Sequence, residues 1–200
     1  MVRKPKKGSV SEDGLTEEAI VKAARLIISD SGTDGLTMRR LSDDLGVALG
    51  ATYHHVPNRQ VLLRLVAKDI DRDLVLPSTD TGEWTDHVRM AVLDYARLVH
   101  AHPGMAAEIA RDSIEMTPLS LNPFLAERLG SAGFSSTDIE AVMIALFFYV
   151  GGLMLAVPSG VSDLGQVDPS LLAHFETGLR ILLLGFAAEM VGTDVVRSPG

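Results

Sequence analysis

The residues best suited to bind another molecule lie in a short stretch near position 50. Tyr53, His54 and His55 stand side by side, and each side chain offers hydrogen bonds that suit a phosphate or a base edge. Residues 48–52 before them are small or uncharged, and no acidic residue occurs from 46 to 68. A helix start of low bulk can approach a base pair closely, so the stretch indicates a helix that contacts nucleic acid. An ordinary pair of packed helices with a polar outer face is the alternative.

Two short helices must position these side chains. Thr37 is a suitable N-cap for the first helix, and Gly46 suits the left-handed turn that ends it. The second helix is predicted from Ala48 to about His55, because Pro57 stops it. Two helices joined at a glycine-containing turn have the outline of a helix-turn-helix, whose second helix enters the major groove of DNA.

The distribution of charge supports the same interpretation. The 200 residues carry a net charge of −8, but residues 1–72 hold 12 Lys/Arg against 10 Asp/Glu, and residues 73–200 hold 6 against 16. The first third therefore tolerates phosphate, whereas the remainder repels it. The chain has no cysteine, which excludes disulfides and thiolate chemistry. It has no secretory signal pattern, so we expect a cytoplasmic protein.

The hydrophobic periodicity predicts an all-α fold, with no alternating strand pattern. Residues 1–14 are predicted to be a flexible basic arm, either tracking DNA or merely solvated. Residues 15–76 form the predicted helix-turn-helix domain, whose last helix begins at Asn58 and runs to about Leu76. The polar segment 77–82 is predicted to link it to a second domain, which covers 77–200.

The second domain contains the most apolar segment of the chain. Residues 141–157 carry no charge, yet they are marginal in length for a membrane span and lack basic flanks, so no membrane association is expected. One protomer of this size can hardly cover such a helix, and a second copy can, so we expect a homodimer with a four-helix interface. The predicted interface residues are Ile144, Phe148, Met154, Leu179, Leu182, Leu183 and Phe186.

At this point the motifs resemble a known family. Residues 36–59, LTMRRLSDDLGVALGATYHHVPNR, following the helix TEEAIVKAARLIISDSG, are similar to the DNA-binding domain of the TetR family of transcriptional regulators. The shared pattern is Gly46-Val47, then Tyr53, His54-His55 and Asn58-Arg59, and it covers about residues 15–65. The later segment from Trp84 onward looks, more loosely, like the C-terminal domain of the tetracycline-repressor branch.

The resemblance implies a dimeric repressor of nine to ten helices that binds a palindromic double-stranded DNA operator and encloses a small effector in its C-terminal domain. By position it makes Arg39 a base-contacting residue and the start of the second helix base-facing. It assigns phosphate contacts to Tyr53, His55 and Arg59, and a phosphate-side or capping role to Thr37, while His54 suits either purpose. The implied DNA-binding set is Thr37, Arg39, Leu49, Gly50, Ala51, Tyr53, His54, His55 and Arg59.

The chain departs from the tetracycline-binding members of that family. Val75 and Ile109 stand where two histidines of the drug site would be, whereas Tyr95 falls on an aromatic position and Ala91 on an amide. This difference argues against a tetracycline–magnesium ligand, and no metal or other cofactor is expected. His102 is expected to pack beside the Pro103-Gly104 helix break rather than to bind metal.

The sequence leaves two other functions as alternatives. No nucleophile elbow, P-loop or HExxH pattern is present, so no catalytic residues and no enzymatic activity are expected. An architectural DNA-binding protein without ligand gating is the other alternative, and a fully filled C-terminal core would favour it.

A small hydrophobic or aromatic effector is expected between the helices of residues 84–155, since such sites are mostly apolar and methionines adapt to varied shapes. The candidate residues are Tyr95, Leu98, Val99, Met105, Ile109, Met116, Phe124 and Phe147. The helix from Asn58 to about Leu76 is the expected lever, because it reaches both domains.

Overall fold

The computed structural model describes residues 14–112, 120–156 and 169–196. In these residues the regular structure is entirely helical, which confirms the predicted all-α fold. The nine α-helices are α1 (Glu17–Ser31), α2 (Met38–Leu45), α3 (Leu49–His55), α4 (Arg59–Asp71), α5 (Trp84–His100), α6 (Met105–Arg111), α7 (Leu121–Ser131), α8 (Ser136–Ala156) and α9 (Pro169–Val196), and a short 3-10 helix spans Thr33–Gly35.

Helix α1 is the helix against which α2 and α4 pack. The hydroxyl of Thr16 accepts a hydrogen bond from the amide of Ala19 at 3.1 Å, and two glutamates in the first turn complement the helix dipole. Its buried face consists of Ile20, Val21, Ala24, Ile27 and Ile28, which meets α2 and α4. Burial of such a stripe supplies the main stabilisation of an amphipathic helix.

Helix α4 ends earlier than the sequence predicted. The predicted end near Leu76 is wrong, because the helix stops at Asp71 and the next two amides bond back only three residues, from Asp73 to Ile70 and from Leu74 to Asp71. The buried carboxylate of Asp71 accepts hydrogen bonds from the amide and hydroxyl of Ser120 instead. This tertiary bond lies outside any local pattern, so helical periodicity does not reveal it.

Helix α5 lies centrally in the second part of the chain and contacts α4, α6, α7, α8 and α9. The indole of Trp84 at its start packs edge-on against Phe134 at 5.2 Å. Between α8 and α9, the ring of Tyr149 stacks on Phe175 at 4.8 Å, and its hydroxyl donates to the Phe175 carbonyl at 2.8 Å. Gly178 leaves room for that hydroxyl, which any larger residue would displace.

Part of the predicted subunit interface is buried inside the protomer. Met154, Leu179 and Leu183 face the core, so their assignment to a surface between subunits is wrong. Leu182 and Phe186 are half-buried, whereas Ile144 and Phe148 are exposed as predicted. The cause is that α8 and α9 are apolar on most sides, so the sequence pattern does not indicate which side turns inward.

The exposed side of these two helices is nonetheless strongly apolar. Phe148 is 70% exposed, and Ile181 and Leu184 on α9 are 60% and 52% exposed. By length and composition alone, both α8 and α9 contain a stretch capable of crossing a membrane. Core helices of soluble proteins pass the same test, so that property is weak evidence for a membrane protein.

Candidate nucleic-acid interface and effector cavity

Helices α2 and α3 form the predicted helix-turn-helix. The hydroxyl of Thr37 accepts from the amide of Arg40 at 3.0 Å, and Gly46 turns the chain at a φ of 70°. In the buried contact between the helices, the hydroxyls of Ser42 and Thr52 lie 2.8 Å apart, and Ser42 also donates to the Met38 carbonyl. These bonds satisfy two buried hydroxyls and hold α3 at one orientation.

Most of the predicted DNA-binding residues lie on the accessible side of this motif. Leu49, Gly50, Tyr53 and His54 are exposed, and His55 and Ala51 are half-exposed. No described atom lies within 4 Å of the space where a side chain on Gly50 would begin, so the start of α3 is open to a close approach.

Arg39 places an exposed positive charge on the helix-turn-helix. Its side chain is exposed and makes no hydrogen bond or ion pair with any residue in the described ranges. Thr37, which the sequence placed beside phosphate or in a capping role, is exposed and caps α2. The guanidinium of Arg39 is therefore available for a ligand outside the protomer.

Arg59 makes bonds inside the protein that the sequence did not predict. Its Nε donates to the carbonyl of Leu36 at 3.1 Å, Nη2 donates to the carbonyl of Thr33 at 2.7 Å, and Nη1 pairs with Glu108 at 3.3 Å. All three nitrogens are thus directed into the protein. These bonds make Arg59 a link between the helix-turn-helix and α6, and its predicted contact with phosphate stays a prediction.

Further polar contacts join α4 to the end of α6. The carboxylate of Asp112 accepts from Gln60 at 3.0 Å and from Arg64 at 2.8 Å. Glu108, which is 5% exposed, pairs with Arg111 as well as with Arg59. Two carboxylates at α6 therefore receive three donors from α4, and a movement of α6 changes the bonds of α4.

The turn between α5 and α6 rests against α1 and the 3-10 helix. The amide of Thr33 donates to the carbonyl of Pro103 at 2.9 Å. Gly104 has a φ of 87° and lies against the side chain of Thr33, where a larger residue would clash. Close approach and positive φ both require glycine at this position.

His102 lies at the helix break, as expected, and both of its ring nitrogens are used. Nε2 accepts from Nε of Arg25 at 3.0 Å, so Nδ1 carries the proton and donates to the Leu98 carbonyl at 2.8 Å. Arg25 also pairs with Asp69 and Asp73. Burial, together with the positive charge of Arg25, lowers the pKa of His102, although the backbone bond and the two aspartates oppose the shift.

The lowered pKa of His102 predicts a loss of stability in weak acid. The unfolded chain takes up a proton at His102 as the pH falls below the ordinary pKa of 6.5, whereas the folded chain resists it. The contribution of His102 is therefore complete above that pH and declines as the pH falls towards the folded-state pKa. We expect His102→Gln to flatten the dependence of unfolding free energy on pH between about 7.5 and about 5, measured by urea denaturation.

His54→Gln is the matched control for this prediction, because His54 is exposed. It should leave the slope unchanged. An unchanged slope in His102→Gln would show that other groups cause the acid sensitivity.

A cavity of about 670 Å³ lies among helices α5, α6, α7 and α8. Its walls are mainly aliphatic and aromatic, which is typical of a site for a small apolar ligand. One side of α8 runs along the whole cavity at a spacing of three or four residues, from Ser136 through Glu140, Met143 and Phe147 to Met154. Among the residues described, no three His, Cys, Asp or Glu are grouped to hold a metal ion.

Half of the predicted effector residues line this cavity, namely Tyr95, Val99, Ile109 and Phe147. Leu98, Met105 and Phe124 do not, and their assignment is corrected. Met105 is fully buried in the core, and the ring of Phe124 packs beneath the guanidinium of Arg128 at 5.9 Å. Leu98 packs against the core from another side of α5. Met116 lies outside the described residues.

The sequence predictions missed the polar residues at this cavity, which are Asn122, Ser136 and Glu140. Their signal is the register of α8, since a stripe that includes Phe147 also includes Ser136 and Glu140 at helical spacing. Tyr95 is the other polar residue of the wall. Burial, reinforced by the negative charge of Asp71, raises its pKa, so its phenol remains neutral at physiological pH.

The comparisons with known proteins agree with this arrangement. No protein-family model matches the chain. It is 29% identical over 154 residues to an HTH-type transcriptional regulator of Saccharopolyspora erythraea, a match that covers 76% of this chain but 65% of that relative. It is 28% identical over 216 residues to the class A tetracycline repressor protein from transposon 1721 of Escherichia coli, covering 92% and 96%.

A solved structure extends the similarity to three dimensions. BioQ of Mycobacterium smegmatis superimposes with a TM-score of 0.72 and 28% identity, covering 87% of this chain and 99% of BioQ, and BioQ is also solved with its double-stranded DNA operator. The family predicted from the helix-turn-helix residues is thereby confirmed. In sequence and in fold the chain is therefore similar to the TetR family of transcriptional regulators.

Proposed function

We propose that this protein is a cytoplasmic repressor that binds a palindromic operator as a homodimer and is released by a small hydrophobic or aromatic effector. The observation that carries the proposal is the cavity among α5, α6, α7 and α8, whose α6 wall also bonds to the helix-turn-helix half. A filled interior would have favoured an architectural DNA-binding protein. The cavity favours ligand gating.

The proposed division of labour follows the chain. Residues 1–14 form an arm, 15–76 bind DNA, and 77–200 bind the effector and dimerise. The contacts of α1 with α2 and α4, and of α2 with α3, support the second unit. The absence of helix between Asp71 and Trp84 supports a boundary in that segment.

In the proposed DNA complex, the start of α3 faces the base pairs and Arg39 reaches one of them. Leu49, Gly50 and Ala51 offer apolar contact and close approach, whereas Tyr53, His54 and His55 supply hydrogen-bonding groups for phosphate or bases. The few base-reading groups on α3 imply that specificity also depends on Arg39, thymine methyl contacts and DNA shape.

The proposed switch is a shift between two dimer states. Ala106, Ile109 and Ala110 of α6 line the cavity, while Glu108 on the same helix pairs with Arg59 at the start of α4. A ligand that displaces α6 therefore displaces α4 and, with it, the helix-turn-helix. In the binding state the two recognition helices lie about 34–36 Å apart, one turn of DNA, and the effector favours another spacing.

The proposed DNA surface predicts that two substitutions differ in how their effect on binding depends on the DNA sequence. Arg39→Ala should relax preference at one base pair by about 1–3 kcal/mol if the contact is bidentate. Tyr53→Phe should weaken binding evenly over all sequences if its hydroxyl contacts phosphate. Selection of operators from genomic fragments, followed by affinity measurements on single-base variants, separates the two patterns. An even loss for Arg39→Ala, or a loss at one position for Tyr53→Phe, would contradict the respective role.

A further inference from the structure

The cavity has a distinctive charge environment, which bears on the kind of effector that it takes. Among the described residues that line it, Glu140 is charged and no lysine, arginine or histidine is present. Glu140 is exposed on α8 and makes no ion pair with a described residue. Its carboxylate therefore remains available to a ligand at the edge of the cavity.

A second carboxylate lies behind the Tyr95 wall. Asp71 is 5% exposed, and its Oδ2 accepts from the amide and hydroxyl of Ser120. Its Oδ1 is buried and has no hydrogen-bond partner, and Asp71 makes no ion pair within the described ranges. The negative charge reaches Tyr95, because it contributes to the raised pKa of that phenol. A buried carboxylate without a cation gives its surroundings a negative potential.

The aromatic side chains of the wall suit the same type of ligand. Tyr95, Phe147 and Phe148 line the cavity, and the faces of aromatic rings attract cations. An anion in the cavity meets the carboxylate of Glu140 and, beyond Tyr95, the charge of Asp71, and no described residue of the lining is positively charged. The volume of about 670 Å³ accommodates a polycyclic aromatic molecule.

We infer that the effector is an amphipathic cation, a flat apolar body with one protonated amine directed to Glu140. This inference rests on the proposed effector-binding function and specifies the ligand class for the same cavity. The apolar body occupies the space between Val99, Ile109 and Met143, and the amine lies at the polar edge formed by Ser136 and Glu140. The charge of Asp71, which acts on Tyr95, reinforces the preference.

Three pyrene derivatives test the inference, because they share one fluorescent apolar body and differ in charge. They are pyrenemethylamine, pyrenemethanol and pyrenecarboxylic acid, which are cationic, neutral and anionic at neutral pH. We expect the amine to bind about tenfold more tightly than the alcohol, from a cation–π contact and a partly exposed ion pair. The acid should bind more weakly than the alcohol.

Two variants locate the source of the preference. Glu140→Gln should lower the ratio of amine to alcohol affinity several-fold and leave alcohol binding unchanged. Glu18→Gln is the control, since it makes the same change in net charge at an exposed site on α1. It should leave the ratio as it is in the natural chain.

The possible outcomes separate this inference from the function on which it rests. Equal binding of amine and alcohol, or tightest binding of the acid, overturns the cationic class but leaves an apolar effector site. Binding by none of the three overturns both. An amine preference that is unchanged in Glu140→Gln, or that falls equally in Glu140→Gln and Glu18→Gln, does not come from the Glu140 carboxylate and also overturns the inference.

Discussion

Replacing Ile181 by glutamate is expected to convert the protein into a monomer and to abolish operator binding. Ile181 is 60% exposed on α9, and Leu184, which lies three residues further along the same helix, is 52% exposed. In a two-fold interface the substitution places two carboxylates in an apolar contact, and burial of an unpaired charge is prohibitive. A loss of about 4 kcal/mol raises the dimer dissociation constant about a thousandfold. Sedimentation measures the assembly, and a species near 21.4 kDa is expected.

Leu26→Glu is the matched control for the interface prediction. Leu26 is 61% exposed but lies on α1, away from the apolar surface of α8 and α9. It should leave the dimer intact. A stable Ile181→Glu dimer would place the subunit contact elsewhere, and a monomeric natural chain would refute the homodimer and the operator symmetry that it imposes.

Arg59→Met is expected to lower the unfolding free energy by about 2–3 kcal/mol, because it removes several hydrogen bonds while keeping most of the alkyl stem. The carbonyls of Thr33 and Leu36 lose a donor, and the buried Glu108 keeps only its pair with Arg111. Solvent weakens the ion pair, because the Arg59 side chain is 36% exposed. Urea denaturation measures the change.

Arg39→Met provides the contrast, since Arg39 is exposed and makes no contact of this kind with a described residue. Its unfolding free energy should change by no more than about 0.5 kcal/mol, while operator affinity falls. The opposite pattern, with Arg59→Met fully stable and binding DNA with a weaker salt dependence, would show that Arg59 contacts phosphate after all.

Local signals in the sequence were sufficient for the helix-turn-helix. Thr37 as a cap, Gly46 as a left-handed turn and Pro57 as a stop are each decided within one turn of helix, and the structure has α2 and α3 at those positions. The end of α4 could not be predicted in this way, because its last residue, Asp71, bonds to a serine 49 residues away, which no local pattern indicates.

The second half of the chain was harder to predict for two reasons. Helices α8 and α9 are apolar on most sides, so nothing in their pattern distinguishes the inward Leu179 and Leu183 from the outward Ile181 and Leu184. A cavity is a gap between helices, and its lining depends on how they are rotated relative to one another. Predicting by residue type therefore selected Met105 and Phe124, which pack into the core, and overlooked Glu140.

The junction around the α5–α6 turn bears on how such regulators can be recombined. Residues 15–76 contact the rest of the chain through the Thr33–Pro103 backbone bond, the close packing of Gly104 against Thr33, and the pairing of Arg59 with Glu108. A chimera that takes residues 15–76 from another regulator would replace only one side of each contact. To exchange DNA specificity between relatives, residues 102–112 must therefore be transferred together with residues 15–76. The segment that has to be exchanged is thus larger than the helix-turn-helix domain.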